Sequence, residues 1–133
     1  MNPEFSSAPA EPEEFRVVCL CASWCGTCRE YQEGFQAMAA AFPRTTFLWL
    51  DVEEEHPWAD WVSDLDVVNF PTLLIQRSDA VLFYGPMLPQ HTLLRRTLET
   101  FIAQTPAESH AWAHGSPERR EWQDSCRLPA GDE

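Results

Sequence analysis

The pentapeptide Trp24-Cys25-Gly26-Thr27-Cys28 narrows the fold more than any other feature of the chain. Before it runs Phe15 to Cys21 (FRVVCLC), a nearly continuous apolar stretch of strand length, suited to a sheet covered on both faces. After it comes a helical pattern over 25–42, with Tyr31, Phe35, Met38, Ala39 and Phe42 on one face and Pro43 as the stop. Two cysteines therefore stand where a strand ends and a helix begins. A cysteine at that point faces unpaired backbone N–H groups and the positive end of the helix dipole. Both favour thiolate over thiol and lower the pKa from about 8.5 toward 7 or below. The spacing puts the second sulfur in the first turn of the same helix, within reach of the first. Cys25 is expected to be the attacking thiolate and Cys28 the resolving thiol. Cys25 attacks a disulfide, a mixed disulfide forms, and Cys28 releases the reduced substrate.

A half-site for zinc is the competing reading of the same motif. Structural zinc takes four ligands, and Cys126, His110 and His114 are the distant candidates. The strand–CxxC–helix context favours redox use, so no metal is expected.

The rest of the chain places the motif in an α/β frame. Thr45 to Val52 (TTFLWLDV) reads as a second strand. Pro57 fits the first position of a helix carrying Trp58, Trp61, Val62 and Leu65. Thr72 to Gln76 and Ala80 to Tyr84 read as a hairpin, ended by Gly85 and Pro86. Gln90 to Gln104 is a last helix, with Leu94, Leu98, Phe101 and Ile102 on one face. The order is β-α-β-α-β-β-α. A right-handed crossover makes the first two strands parallel, and the hairpin adds an antiparallel pair. The expected architecture is a mixed four-stranded central sheet flanked by helices. Residues 1–14 read as a disordered leader, 15–104 as the domain, and 105–133 as an extension, flexible or a short helix packing Trp112 or Trp122.

Charge excludes several function classes. The net charge of −12 argues against nucleic acid and against an anionic membrane surface as partners. All nine basic residues are arginines, which removes Schiff-base chemistry and a P-loop lysine. The N-terminus carries no basic start and no apolar stretch, and a cytoplasmic location is expected. Removal of a signal segment would make the periplasm or envelope the alternative. The acidic run Asp51, Glu53, Glu54 and Glu55 reads as a solvated strand end rather than a rim that selects basic substrates.

These pieces resemble the thioredoxin family over residues 15–104. The resemblance rests on the strand into WCGTC, the strand end LDVEEE, the segment Asn69-Phe70-Pro71-Thr72, and Tyr84-Gly85 before the last helix. Pro71 lies 46 residues after Cys25, a separation typical of the family. The resemblance implies a thioredoxin-like fold and a thiol–disulfide oxidoreductase that reduces or exchanges protein disulfides through a Cys25–Cys28 couple. It implies a cis Phe70–Pro71 bond facing the disulfide, with the backbone of Phe70 exposed to an extended substrate segment. Trp24 would cover the disulfide. Gly26 and Thr27 would complete the contact surface, and Gly85 would leave room for a docking partner. No bound cofactor is expected. The implied partners are disulfide-containing proteins and an electron donor, either a reductase protein or a small thiol. A monomer is expected.

Several positions depart from the family pattern. Cys19 stands where many thioredoxins carry a buried aspartate, and Trp49 where the lysine paired with it often stands. Glu33 replaces the proline that kinks the helix, so a straighter helix is expected. Gly26 and Thr27 add no positive charge between the cysteines, which leans toward a reducing couple. Cys19 and Cys21 point to one face of the first strand and read as core packing. A bond between them is not expected, because neighbours at i and i+2 diverge. Cys126 is an odd thiol without an expected role. The alternative function is a redox-sensitive binding module that holds a partner, with the CxxC as a latch.

Overall fold

A computed structural model describes residues 14–128 except Asp66 and Pro89. The elements are β1 (Phe15–Cys21), α1 (Gly26–Ala41), β2 (Thr46–Asp51), α2 (Ala59–Leu65), β3 (Thr72–Arg77), β4 (Ala80–Pro86), α3 (His91–Ile102), α4 (Pro106–Ala113) and α5 (Pro117–Ser125). The strands form one sheet in the order β2-β1-β3-β4. β1 runs parallel to β2 and antiparallel to β3, and β3 pairs antiparallel with β4. This is the mixed four-stranded sheet that the strand and helix patterns predict. The expected leader lies outside the described residues except for Glu14.

Alternation along β1 divides the core into two layers. Phe15, Val17, Cys19 and Cys21 point to one face, where Tyr31, Phe35 and Met38 of α1 and Leu94, Leu98 and Phe101 of α3 cover them. Val18 and Leu20 point to the other, against Val62 of α2 and Cys126 and Leu128 near the C-terminus. β1 is thus buried on both faces, as its continuous apolar run requires. Helix α1 is continuous over 16 residues through Glu33. Its Gly34 lies under His91 at the start of α3, where a Cβ would collide with the imidazole ring.

β4 extends two residues past the predicted strand end and takes in Gly85 and Pro86. Gly85 is buried opposite Leu73, and its φ of 151° is a conformation that side-chain-bearing residues rarely adopt. The glycine is therefore part of the strand rather than the turn that ends it.

The region after residue 104 holds two helices. Thr105 opens α4 with a reciprocal capping box to Glu108, and Ser116 caps α5 through the N–H of Arg119. Both helices lie along the outer edge of β4. The Gln123 side chain bonds the N–H and the carbonyl of Val81, each at 2.8 Å, so one amide side chain stands in for a neighbouring strand. Trp112 Nε1 donates to the carbonyl of Leu82 at 2.9 Å. The Gln76 side chain receives the N–H of Leu128 at 2.8 Å. An edge that would otherwise expose unpaired backbone is thereby covered.

Candidate functional site

The cysteines converge at the C-terminal end of β1. Cys25 is the N-cap of α1 and is half-buried as a free thiol; the N–H of Arg29 donates to its carbonyl at 3.1 Å. Gly26 and Thr27 form the exposed first turn, and Cys28 follows at 1% exposure. The side chain of Cys28 turns inward over the strand end, because it lies on the buried stripe of α1 with Tyr31, Phe35 and Met38.

There the pairing differs from the expected one. The disulfide joins Cys28 to Cys21, with a Cα–Cα separation of 5.8 Å, and leaves Cys25 free. Cys21 is the last residue of β1 and points to the α1 face, so its sulfur lies beneath the first turn of the helix. Reading Cys21 as a small hydrophobe in the core omitted this geometry. The available signal was its position: Cys21 ends the strand seven residues before Cys28 and shares the face that α1 covers. Cys19 and Cys21 are not bonded, but their sulfurs lie 3.6 Å apart. Cys21 carries no proton in the disulfide, so Cys19 is the donor.

Cys19 is fully buried, and burial pushes its thiol far above the usual range. It is a neutral thiol at the position where the family resemblance leads one to expect an acid. Trp49 pairs directly with Cys19 across β1 and β2, so the two substituted positions are neighbours here. Tyr31 Oη is buried without a hydrogen-bond partner; desolvation, then the nearby Cys19, raises its pKa.

Around Cys25 lie the residues expected to meet a substrate. Trp24 is 61% exposed, and its Nε1 donates to Glu53 Oε2 at 3.0 Å. Its ring meets Phe70 edge to face, with centroids 5.6 Å apart. The Phe70–Pro71 bond is cis, as the family resemblance implies, and Pro71 is buried. Thr72 Oγ1 donates to the carbonyl of Asn69 at 2.6 Å and closes this turn. Cys25 and Phe70 pack against the same apolar cluster as Cys19, Cys21 and Cys28. Gly85 is one strand further on, opposite Leu73 of that cluster.

A cleft of about 310 Å³ opens beside Cys28, lined by Ser23, Arg29, Gln32, Trp49, Asp51 and Glu54 among others. Asp51 and Glu54 belong to the acidic run that reads from sequence as a solvated strand end, and both line this cleft with Cys28. Glu53 serves instead as the acceptor that fixes the Trp24 indole. Among the described residues no group of three or more His, Cys, Asp or Glu side chains is placed to hold a metal ion. No helix among them is long and apolar enough to cross a membrane.

Ionisation of buried groups sets an alkaline limit on the fold. Burial, then the charge of Glu121, pushes Cys126 up to about 11 from 9.0. Burial, then the charge of Cys126, pushes Tyr84 up to about 12 from 10.0. Both groups lose protons more readily in the unfolded chain. Their contribution is therefore complete below about pH 9 and is lost as pH rises through about 11 and 12. Cys19 and Tyr31 act in the same direction. Thermal unfolding of the oxidised protein is expected to show a Tm that falls steadily above pH 9. A Tm that holds or rises to pH 11 would contradict this.

Comparison with known proteins places the fold and the motif together. The family model described as Thioredoxin matches residues 1–96. Thioredoxin H2 of Arabidopsis thaliana is 35% identical over 65 residues, covering 49% of this chain and 47% of that relative. The chain thus spans about half the length of this curated relative. Thioredoxin of Trypanosoma brucei brucei superposes with a TM-score of 0.59 at 25% identity, covering 78% of this chain and 88% of that one. Thioredoxin of Fasciola hepatica does so with a TM-score of 0.55 at 26% identity, covering 66% and 81%. With the mixed sheet, the strand–CxxC–helix junction and the cis-proline turn already in place, the chain belongs to the thioredoxin family.

Proposed function

We propose that the protein is a thiol–disulfide oxidoreductase that reduces protein disulfides through Cys25 and Cys28. The observation that carries this reading is the contact of Trp24 with Phe70. It joins the CxxC loop to the Asn69–Thr72 turn across 46 residues of chain, and Cys25 and Phe70 pack on the same apolar cluster.

The Cys25 thiolate attacks one sulfur of a substrate disulfide. A bond forms between Cys25 and that sulfur, and the other substrate sulfur leaves as a thiolate that takes a proton. Cys28, when reduced, then attacks Cys25 Sγ. The Cys25–Cys28 bond forms, the substrate's second sulfur is released, and two electrons have passed to the substrate. An external dithiol or reductase protein returns the pair to its reduced state. No metal or organic cofactor enters these steps. Trp24, Gly26, Thr27, Phe70, Pro71 and Gly85 are assigned to substrate contact. The partners assigned are disulfide-containing proteins and a thiol electron donor, the oligomeric state is monomeric, and the location is cytoplasmic.

The order of attack is tested by Cys28→Ser. This variant is expected to accumulate a mixed disulfide between Cys25 and a disulfide-bonded protein such as insulin, visible on non-reducing gels and removed by dithiothreitol. Attachment through any other cysteine, or no adduct, would contradict the assigned roles.

A further inference from the structure

We propose that Cys21 is a third redox-active residue, which exchanges with Cys25 for the common partner Cys28 and so switches the site between dithiol and single-thiol forms. The inference rests on the reading of Cys25 and Cys28 as an exchanging pair. It comes from three features of the cluster. Cys28 bonds Cys21 although Cys25 lies only three residues before it. Cys21 and Cys28 are both 1% exposed, whereas Cys25 is half-buried and free. The Cys19 sulfur lies 3.6 Å from Cys21 Sγ, where its S–H is a donor to whichever form Cys21 takes.

The exchange balances without any outside reagent. Cys21, as a thiolate, attacks Cys28 Sγ in the Cys25–Cys28 disulfide. The Cys21–Cys28 bond forms, the Cys25–Cys28 bond breaks, and Cys25 departs as a thiolate. The proton lost by Cys21 is the one that Cys25 can take up. One disulfide exists before and after, and no electrons leave the protein. The Cys19 S–H stabilises the Cys21 thiolate that attacks, and that departs in the reverse step. Cys25 reverses the exchange by attacking Cys28.

The consequence is a change in what the surface thiol does. In the Cys25–Cys28 form the site is the oxidised product of a completed reduction. In the Cys21–Cys28 form the oxidising equivalent is buried, and the half-buried Cys25 is left free without its resolver. A mixed disulfide made by that Cys25 persists until Cys28 is released from Cys21. The oxidised chain then captures partners instead of turning them over.

Disulfide mapping of the full chain tests this. The wild type and Cys25→Ser are each fully reduced, reoxidised with excess oxidised glutathione and blocked at acid pH. Cleavage after Trp24 separates Cys21 from Cys25 and Cys28. In wild type, cross-linked peptides joining Cys21 to Cys28 are expected, disappearing on reduction. In Cys25→Ser the same cross-link is expected to form, with the loss of one pair of thiol hydrogens. A wild type containing only the Cys25–Cys28 loop, or a Cys25→Ser protein without the Cys21–Cys28 bond, would overturn the proposal. These outcomes are independent of turnover. Failure of the reductase reading appears instead as a wild type that does not reduce a protein disulfide.

Discussion

Replacing Cys25 with serine is expected to abolish reduction of protein disulfides, lowering the rate by more than about 1000-fold to the background of uncatalysed exchange. The nucleophile in disulfide exchange is a thiolate, and a serine hydroxyl is almost wholly protonated at neutral pH. No neighbouring thiol replaces it at the surface. Cys21 and Cys28 are 1% exposed, and Cys19 is fully buried. Cys126 lies in the opposite core layer, beyond the sheet. Insulin reduction followed by turbidity measures the effect. The far-ultraviolet spectrum should stay unchanged, because Cys25 makes no side-chain cap to α1. Undiminished turnover in Cys25→Ser would remove Cys25 from its assigned role.

The largest stability loss is expected at Arg77, far from the cysteines. Arg77 ends β3 at 3% exposure. Its Nε bonds Glu14 Oε1 at 2.8 Å, and its Nη1 bonds the carbonyl of Gln104 at 3.1 Å and Ser109 Oγ at 3.0 Å. The guanidinium also lies 5.0 Å from the centroid of Phe15. One side chain thereby ties the start of β1, the segment after α3, and α4 to the sheet. Hydrogen bonds to charged groups contribute about 1.5–3 kcal/mol each, and breaking a buried polar network strands the remaining partners. Arg77→Met is expected to cost about 3 kcal/mol and to lower Tm by roughly 10 °C. Arg77→Lys should recover only part of this, since an ammonium lacks the planar fork. Circular dichroism melts of the three proteins provide the measurement. A loss below about 0.5 kcal/mol for Arg77→Met would show the network to be a surface feature.

The elements that could be read from sequence are those with a strong local signal. The FRVVCLC run, the α1 stripe ended by Pro43, and the hairpin around Ser78 and Asp79 each carry their own pattern. Their order implies the parallel β1–β2 pair and the antiparallel β3–β4 hairpin, whereas the antiparallel β1–β3 pairing that joins them is seen only in the fold. Strand ends were less legible. Gly85 and Pro86 have turn chemistry, yet β3 holds them in β4 through tertiary pairing. The C-terminal helices were faint because part of their docking, beside the Trp112 and Trp122 contacts, is made by polar side chains. Gln76 and Gln123 bond backbone across separations of 52 and 42 residues, and hydrophobic periodicity does not register such bonds.

The candidate site divides in the same way. Cys25 and Cys28 stand out because the motif falls at a strand–helix boundary, and Pro71 because the family resemblance implies it. The Trp24–Phe70 contact, the Glu53 acceptor and the cleft that Asp51 and Glu54 share with Cys28 depend on segments meeting in space. Cys21 was passed over for a physical reason. On a strand its alternation with Leu20 announces only a buried face, and burial alone does not distinguish a packed thiol from a bonded one. The position of α1 over the strand end makes that distinction.

The direction of electron flow is set by the reduction potential of the active-site couple, measured by equilibrating the protein against defined thiol buffers and following tryptophan emission beside the pair. One two-electron transition near about −270 mV is predicted, the range of a thioredoxin-type reductase, since neither Gly26 nor Thr27 adds positive charge. A transition near about −180 to −120 mV would mark an oxidant or isomerase and contradict the direction assigned. Absence of any two-electron transition would contradict the enzyme reading itself and leave a binding module in its place.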